Sequence, residues 1–206
     1  MAKLKAPLFS LGASQQLGKA LVFFPWKGLN VVREYVIPAN PRTALQNTQR
    51  GYLSDAVDLI HTMMAHATLS LDETDKSAYA LWASVVKAAT TWFNQAVKNY
   101  IDQVVAGLNG IIYGQGSSTP GANQLAAAIH SNRIVGGGVT AGDFFYGTSK
   151  TALLSSQVAV INLGANRATA TLAGLTTGVK YFWQFRPSAP AGYVGGNSGI
   201  YYGYPT

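Results

Sequence analysis

Cysteine is absent from the 206 residues. Its absence excludes disulfide scaffolds, thiolate metal sites and cysteine nucleophiles. Charge is scarce too, with Asp, Glu, Lys and Arg together making up 11% of the chain, against about 25% in ordinary soluble domains. Only eight residues are acidic, which leaves few candidates for acid–base catalysis. Long apolar runs are missing as well. None reaches the length that crosses a bilayer, and the opening MAKLKAPLFS lacks the uninterrupted apolar core of a secretory signal, so neither a membrane span nor a signal is expected. A chain that is 48% hydrophobic and so poor in charge needs much of its surface covered. Copies of itself are the simplest cover.

What charge exists is unevenly placed. Residues 1–50 carry seven basic residues against Glu34 alone, residues 51–105 carry three basic and six acidic, and the remainder five basic and one acidic. A basic arm ahead of an acidic body is complementary to the acidic body of a neighbouring copy. It is too dilute to resemble a nucleic-acid tail, so nucleic acid is not favoured as a partner.

The most patterned stretch is 27–50, KGLNVVREYVIPANPRTALQNTQR. Val31, Arg33, Tyr35 and Ile37 alternate with Val32, Glu34 and Val36, which predicts a strand. Pro38 and Pro41 stop it and keep Asn40 out of the α region, so that Asn40 caps a helix with Pro41 at its first position. Upstream, Lys19–Phe24 and Leu29–Ile37 read as a hairpin around Pro25–Gly28. Phe23, Phe24 and Trp26 give that hairpin more apolar surface than it can hide alone, so they, with Arg33 and Tyr35, are candidate inter-subunit contacts. Arg42, Gln46 and Arg50, spaced along one helical face, join them as donors for a neighbour's carboxylates or strand carbonyls.

Residues 42–67 then read as one helix. His61 and His66 lie on it five apart, without the i, i+4 spacing or carboxylate partner of a metal pair. Ser70-Leu71-Asp72-Glu73 has the pattern of a capping box, opening a second helix to about Val105. Trp82, Trp92, Phe93, Val97 and Ile101 give that helix a broad apolar face, and the two helices should pair antiparallel. Beyond Gly110 the pattern changes to seven short strand candidates. They are Ile111–Tyr113, Gln124–His130, Asp143–Gly147, Gln157–Asn162, Ala168–Leu172, Val179–Arg186 and Gly199–Gly203, separated by turns such as GQGSSTPGAN and SAPAGYVGGN. The expected class is α+β, in three parts: an extended arm and β-hairpin over 1–38, a helical hairpin over 39–109, and an immunoglobulin-like β-sandwich over 110–206.

Two family resemblances bear on these parts. FFYGTSKTALLSS and RATATLAGLTTGVKYFWQFRPSAPAG resemble the third strand and the later strand–corner–strand unit of a fibronectin type III domain. Leu175, Gly178 and Tyr181 stand at the corner positions, although the tryptophan usual on the second strand is missing. That resemblance implies a tyrosine corner in which Tyr181 hydrogen-bonds back to the turn. The earlier stretch, a strand followed by Asn40-Pro41-Arg42-Thr43 with Gln46 and Arg50, then Ser70–Glu73 and Trp82, resembles a module of tailed-bacteriophage and prophage structural proteins. It implies a virion component.

No G-x-S-x-G, H-E-x-x-H or phosphate-cradling glycine loop occurs. The chain is therefore expected to be non-enzymatic, with no catalytic residue, cofactor or metal. The function expected is that of a structural subunit of a repeating assembly, most simply a phage capsid-associated, decoration or tail protein located in the virion. Its arm and helices would contact copies of itself and other virion proteins, while the sandwich faces outward. One alternative is a subunit of a prokaryotic extracellular filament built by strand exchange. Another is a surface module for a host glycan, with Tyr193, Tyr201, Tyr202, Tyr204 and Trp183 as the sugar platform.

Overall fold

The computed structural model describes residues 15–37, 39–40, 42–87, 91–132 and 138–206, together with the backbone of 2–4. Among the described residues the chain is mixed α+β, with three α-helices and three four-stranded antiparallel sheets. It divides into two compact units, Met1–Thr43 and Ala44–Thr206.

The first unit is one sheet in the order β1-β4-β3-β2, built from β1 (Ala2–Leu4), β2 (Gln15–Leu17), β3 (Leu21–Trp26) and β4 (Leu29–Glu34). The predicted loop Pro25–Gly28 tightens to two residues, because Trp26 pairs with Leu29. Lys27 and Gly28 have φ of 50° and 76°, the left-handed pair that matches strand twist in a two-residue hairpin. Pro25 is tolerated inside β3. Counting from the turn, it falls at a non-hydrogen-bonded position toward β4.

The second unit opens with α1 (Ala44–Ala65), α2 (Glu73–Val86) and α3 (Trp92–Val105). The single long second helix expected from the sequence is two helices. Lys87 caps α2 in the left-handed conformation at φ 56°, and the Thr91 side chain caps α3 by accepting the Asn94 N–H at 3.2 Å. The β-branched Val85-Val86 and Thr90-Thr91 pairs flanking this point weaken helix continuation. The capping box lies two residues beyond the predicted Ser70–Glu73. Asp75 N–H donates to Asp72 at 2.9 Å, and Asp72 N–H returns to Asp75 at 3.1 Å. Leu71 is buried in the helical core, which draws the chain inward before the helix begins.

Two sheets complete the unit. One has the order β5-β6-β10-β9, from Tyr113–Gly121, Gln124–Ser131, Arg167–Ala173 and Val160–Asn162. The other has the order β12-β11-β7-β8, from Tyr201–Gly203, Tyr181–Ala189, Ala141–Gly147 and Ser155–Val158. They share one core around Trp183, Phe144, Phe185, Leu125 and Leu172. Alternation along β11 supplies Trp183 and Phe185, with Tyr181 half-buried beside them. Trp183 stacks on Tyr201 at 4.6 Å. The predicted strand Gln157–Asn162 is split between the sheets at Ala159, and the predicted turn GQGSST is the body of β5.

Strand β5 is the edge of its sheet, and side chains from the helices cover it. Gln103 of α3 accepts the Ile111 N–H at 3.0 Å and donates to the Ile111 carbonyl at 3.1 Å. Tyr79 of α2 repeats the arrangement one step on, accepting from Tyr113 N–H and donating to its carbonyl. One helical turn earlier, Asp75 accepts from Gln115 N–H at 2.7 Å and Gly116 N–H at 3.0 Å, where β5 bulges. Tyr201 of β12 donates its hydroxyl to the same carboxylate at 2.8 Å. A Cβ on Gly116 would lie 2.1 Å from the Tyr201 ring, so only glycine lets that ring reach Asp75. Burial pushes the Asp75 carboxyl up, while the donors aimed at it favour its ionised form. Burial raises the Tyr79 and Tyr201 phenols, the Asp75 carboxylate adds to it, and both hydroxyls stay protonated as donors. The boundary expected at residue 110 therefore does not separate two bodies. Helices and sheets belong to one unit.

Replacing Asp75 by Asn puts an NH2 group against these donors and should cost about 3 kcal/mol. Tyr79→Phe leaves both Tyr113 backbone groups unpaired and should cost about 2 kcal/mol. Urea unfolding reads both values, and hydrogen exchange at the Tyr113 and Gln115 amides should accelerate in parallel. Losses below about 0.5 kcal/mol, the level of an ordinary surface change, would contradict this account of the joint.

Candidate functional site

The residues expected to make inter-subunit contacts belong in part to the first unit and in part to the second. Strand pairing sets the faces of the first unit. Phe24 opposite Val31, Trp26 opposite Leu29 and Val22 opposite Arg33 share one face, while Phe23 opposite Val32 lies on the other. The Arg33 guanidinium sits 5.5 Å from the Phe24 ring centre. Among the described side chains of this sheet only Phe23 and Val31 are buried apolar residues, and Trp26 is 56% and Leu29 47% exposed. Tyr35 is half-buried past the end of β4, its N–H donating to the Ala20 carbonyl at 2.8 Å.

Helix α1 begins at Ala44 and not directly after Asn40. Arg42 has φ 45° and stands outside the helix, so it does not share a helical face with Gln46 and Arg50. Those two are four apart on α1 and exposed. Pro38 and Pro41 lie outside the described residues. From Ala44 to Asp55 no side chain is buried, and Tyr52 alone is half-buried. Leu45 is 80% exposed there. The buried residues of α1, namely Ala56, Ile60 and Met63, all belong to its second half.

The tyrosine platform is divided between core and surface. Trp183, Tyr193 and Tyr201 are buried, because the core between the sheets claims them. Tyr202 and Tyr204 remain about half exposed, ring centres 6.3 Å apart. Lys180 joins them, its ammonium 3.7 Å from the centre of the Tyr202 ring and 5.2 Å from that of Phe182. At the nearby corner Leu175 is buried, Gly178 takes φ +75° and Tyr181 Oη accepts the Thr176 N–H at 3.2 Å.

A cavity of about 140 Å³ lies between α1 and the outer face of β5 and β6, lined by Leu59, Met63, His66, Leu69, His130 and Asn132. His66 follows the last turn of α1, and its Nδ1 accepts N–H donors from Leu69 at 3.0 Å and Thr68 at 3.2 Å. That leaves the ring proton on Nε2. His130 Nδ1 is buried with no hydrogen-bond partner among the described residues. Burial, and next the nearby Arg167, hold the His130 pKa below its ordinary value of 6.5. Among the described residues no group of three or more His, Asp or Glu side chains is placed to hold a metal, and no helix is long and apolar enough to cross a membrane.

The sequence reading missed two features. Lys180 lies one β-strand step from Phe182 and from the paired Tyr202, a neighbour relation that needs the register. Gln95, Asn99 and Gln103, four apart on α3, are buried amides, and that spacing was visible. No protein family, curated protein or solved structure matches the chain.

His130 generates a pH prediction. Its folded pKa is depressed, so below pH 6.5 the unfolded chain takes up the proton first. Its contribution to stability is complete above that value and is lost as pH falls toward the folded pKa. Urea midpoints measured on either side of pH 6.5 should drop on the acid side, and His130→Gln should flatten that dependence. An equal drop in the variant would exclude His130 as its source.

Proposed function

We propose that this chain is a non-enzymatic structural subunit of a repeating assembly, most simply a bacteriophage virion protein of capsid-associated or tail type. The observation that carries the reading is the first half of α1. A dozen helical residues that bury no side chain are marginal in water, and Ala44–Asp55 buries none and presents Leu45 and Leu53 outward. A partner surface is the physical remedy. The first unit has the same need, with Phe24, Trp26 and Leu29 on one face beside Arg33. Basic residues dominate positions 1–50 and acids positions 51–105, which favours arm-to-body contact between copies. The resemblance of Asn40–Arg50 to a tailed-phage module supports the virion over a cellular filament. Catalysis has no place in the reading, since Asp75 and Asp72, the acids at the centre of the unit, are engaged in the β5 joint and the α2 cap.

For the C-terminal sheets we read a fibronectin type III-like sandwich facing outward. Lettered in chain order, β5 to β12 become A, B, C, C′, D, E, F and G. The sheet orders are then A-B-E-D and G-F-C-C′, the arrangement of immunoglobulin-like sandwiches. The Tyr181 corner supports the same reading. The departure is the tryptophan, which sits on β11 as Trp183 and not on the second strand.

Light scattering on the full chain tests the assembly. The wild type should be oligomeric, and Leu45→Asp with Leu53→Asp should return it to a smaller species with an unchanged melting midpoint. A monomeric wild type, or an oligomer indifferent to both changes, would overturn the proposal. Antibody labelling under negative stain then assigns the chain to virions or to surface filaments.

A further inference from the structure

We propose that the free edge of β8 pairs with the same edge of a second copy of this chain, antiparallel and about a two-fold axis at Gln157. Register decides which backbone groups that edge offers. Ala159 N–H donates to the Gly142 carbonyl at 2.9 Å, and Val158, Gln157, Ser156 and Ser155 pair in turn with Asp143, Phe144, Phe145 and Tyr146. In an antiparallel ladder, hydrogen-bonded pairs alternate with non-hydrogen-bonded ones. Ser155 and Gln157 therefore bond to β7, as Ala159 does. Ser156 and Val158 turn their groups the other way, so two N–H groups and two carbonyls face off the sheet. Every side chain of β8 is exposed, so nothing stands in front of them.

The occupant follows from the other edges of the second unit. The β5 edge is closed at residues 113–116 by Tyr79 and Asp75. Farther along β5, Gly203 of β12 comes so near Ser118 that an added Cβ would lie 2.9 Å from the serine Cβ. The chain after β12 then bonds to the β5–β6 turn, with Asn123 N–H donating to the Thr206 carbonyl at 2.9 Å and Thr206 N–H to the Gly121 carbonyl at 3.1 Å. Head-to-tail pairing of one body on the next thus has no second edge to use, whereas pairing of like edges closes on itself. Charge agrees with this. A charged edge would repel its own copy, and positions 151–166 carry no charge. With the two-fold at Gln157, Ser156 of each copy stands opposite Val158 of the other, and all four outward groups are paired. Leu154 and Val160, 89% and 70% exposed, flank β8 and meet at the two ends of the seam. The contact is separate from the α1 surface and does not rest on it.

The test uses the full chain carrying Leu45→Asp and Leu53→Asp, which removes the α1 contact and isolates the edge. It should sediment as a dimer, and the Ser156 and Val158 amides should exchange slowly, as the internally bonded Ala159 amide does. Ser156→Pro deletes an outward N–H and none that bonds to β7, and should weaken the dimer about tenfold or more. Val158→Lys puts a guarding charge on the edge and should act the same way, with melting midpoints of both variants as the folding control. Gln157→Cys introduces a cysteine into a chain that has none, and should oxidise to a covalent dimer across the two-fold. A monomer at about 100 μM, fast exchange at Ser156 and Val158 within a dimer, or a dimer indifferent to both Ser156→Pro and Val158→Lys would each overturn the proposal. Failure of Gln157→Cys to cross-link would overturn it too. The α1 reading fails separately, when Leu45→Asp and Leu53→Asp leave the wild-type oligomer unchanged.

Discussion

The second unit depends on one constraint: the unpaired edge of β5 must find partners without another strand. An exposed edge leaves a row of backbone donors and acceptors that either pair with a foreign strand or cost free energy when buried. Here Gln103, Tyr79 and Asp75 supply those partners from two helices, addressing Ile111, Tyr113 and the Gln115–Gly116 bulge in turn. Each side chain behaves as a fragment of strand. The geometry of the helices relative to the sheets is therefore set by hydrogen-bond register as well as by apolar packing.

This joint explains why some of the fold was legible in the sequence and some was not. Local rules sufficed for a hairpin turning within Pro25–Gly28, for the alternation that buries Trp183 and Phe185, and for the change from helical to strand periodicity near residue 110. The body of β5, GQGSSTPG, carries no β-branched pattern, and its stability comes from residues about 34 to 41 positions upstream. No local window contains that information. The capping box was misplaced for a related reason. Ser70–Glu73 and Asp72–Asp75 overlap as motifs, and the burial of Leu71 and the tertiary contacts of Asp75 select the second. Of the surface residues, Trp26 and Gln46 were legible as exposed, whereas Tyr193 and Tyr201 look like surface tyrosines until the core is counted.

The distribution of burial gives the chain two characters. The β5 joint and the shared core bind the second unit together internally, and Gln95 Oε1, Tyr113 Oη and His130 Nδ1 are the buried side-chain atoms without a partner among the described residues. The described side chains of the first unit and of the first turns of α1 are the reverse, with little apolar cover. The β8–β9 edge adds a further strip, with Leu154, Val158, Val160 and Leu163 exposed in a run, 151–166, that contains no charged residue. Such strips lack the charges that usually guard a free strand edge.

The Tyr201 hydroxyl closes the donor set around Asp75 from 126 positions farther along the chain. During synthesis, α2 and β5 thus emerge long before the ring that packs on Gly116. Until residue 201 is released, the carboxylate at the centre of the joint faces solvent on that side, and the helix–sheet seam cannot dry. Final closure is a late, long-range event of the sort that slows folding. The nascent chain would present its helices and early strands to chaperones before it presents a finished subunit.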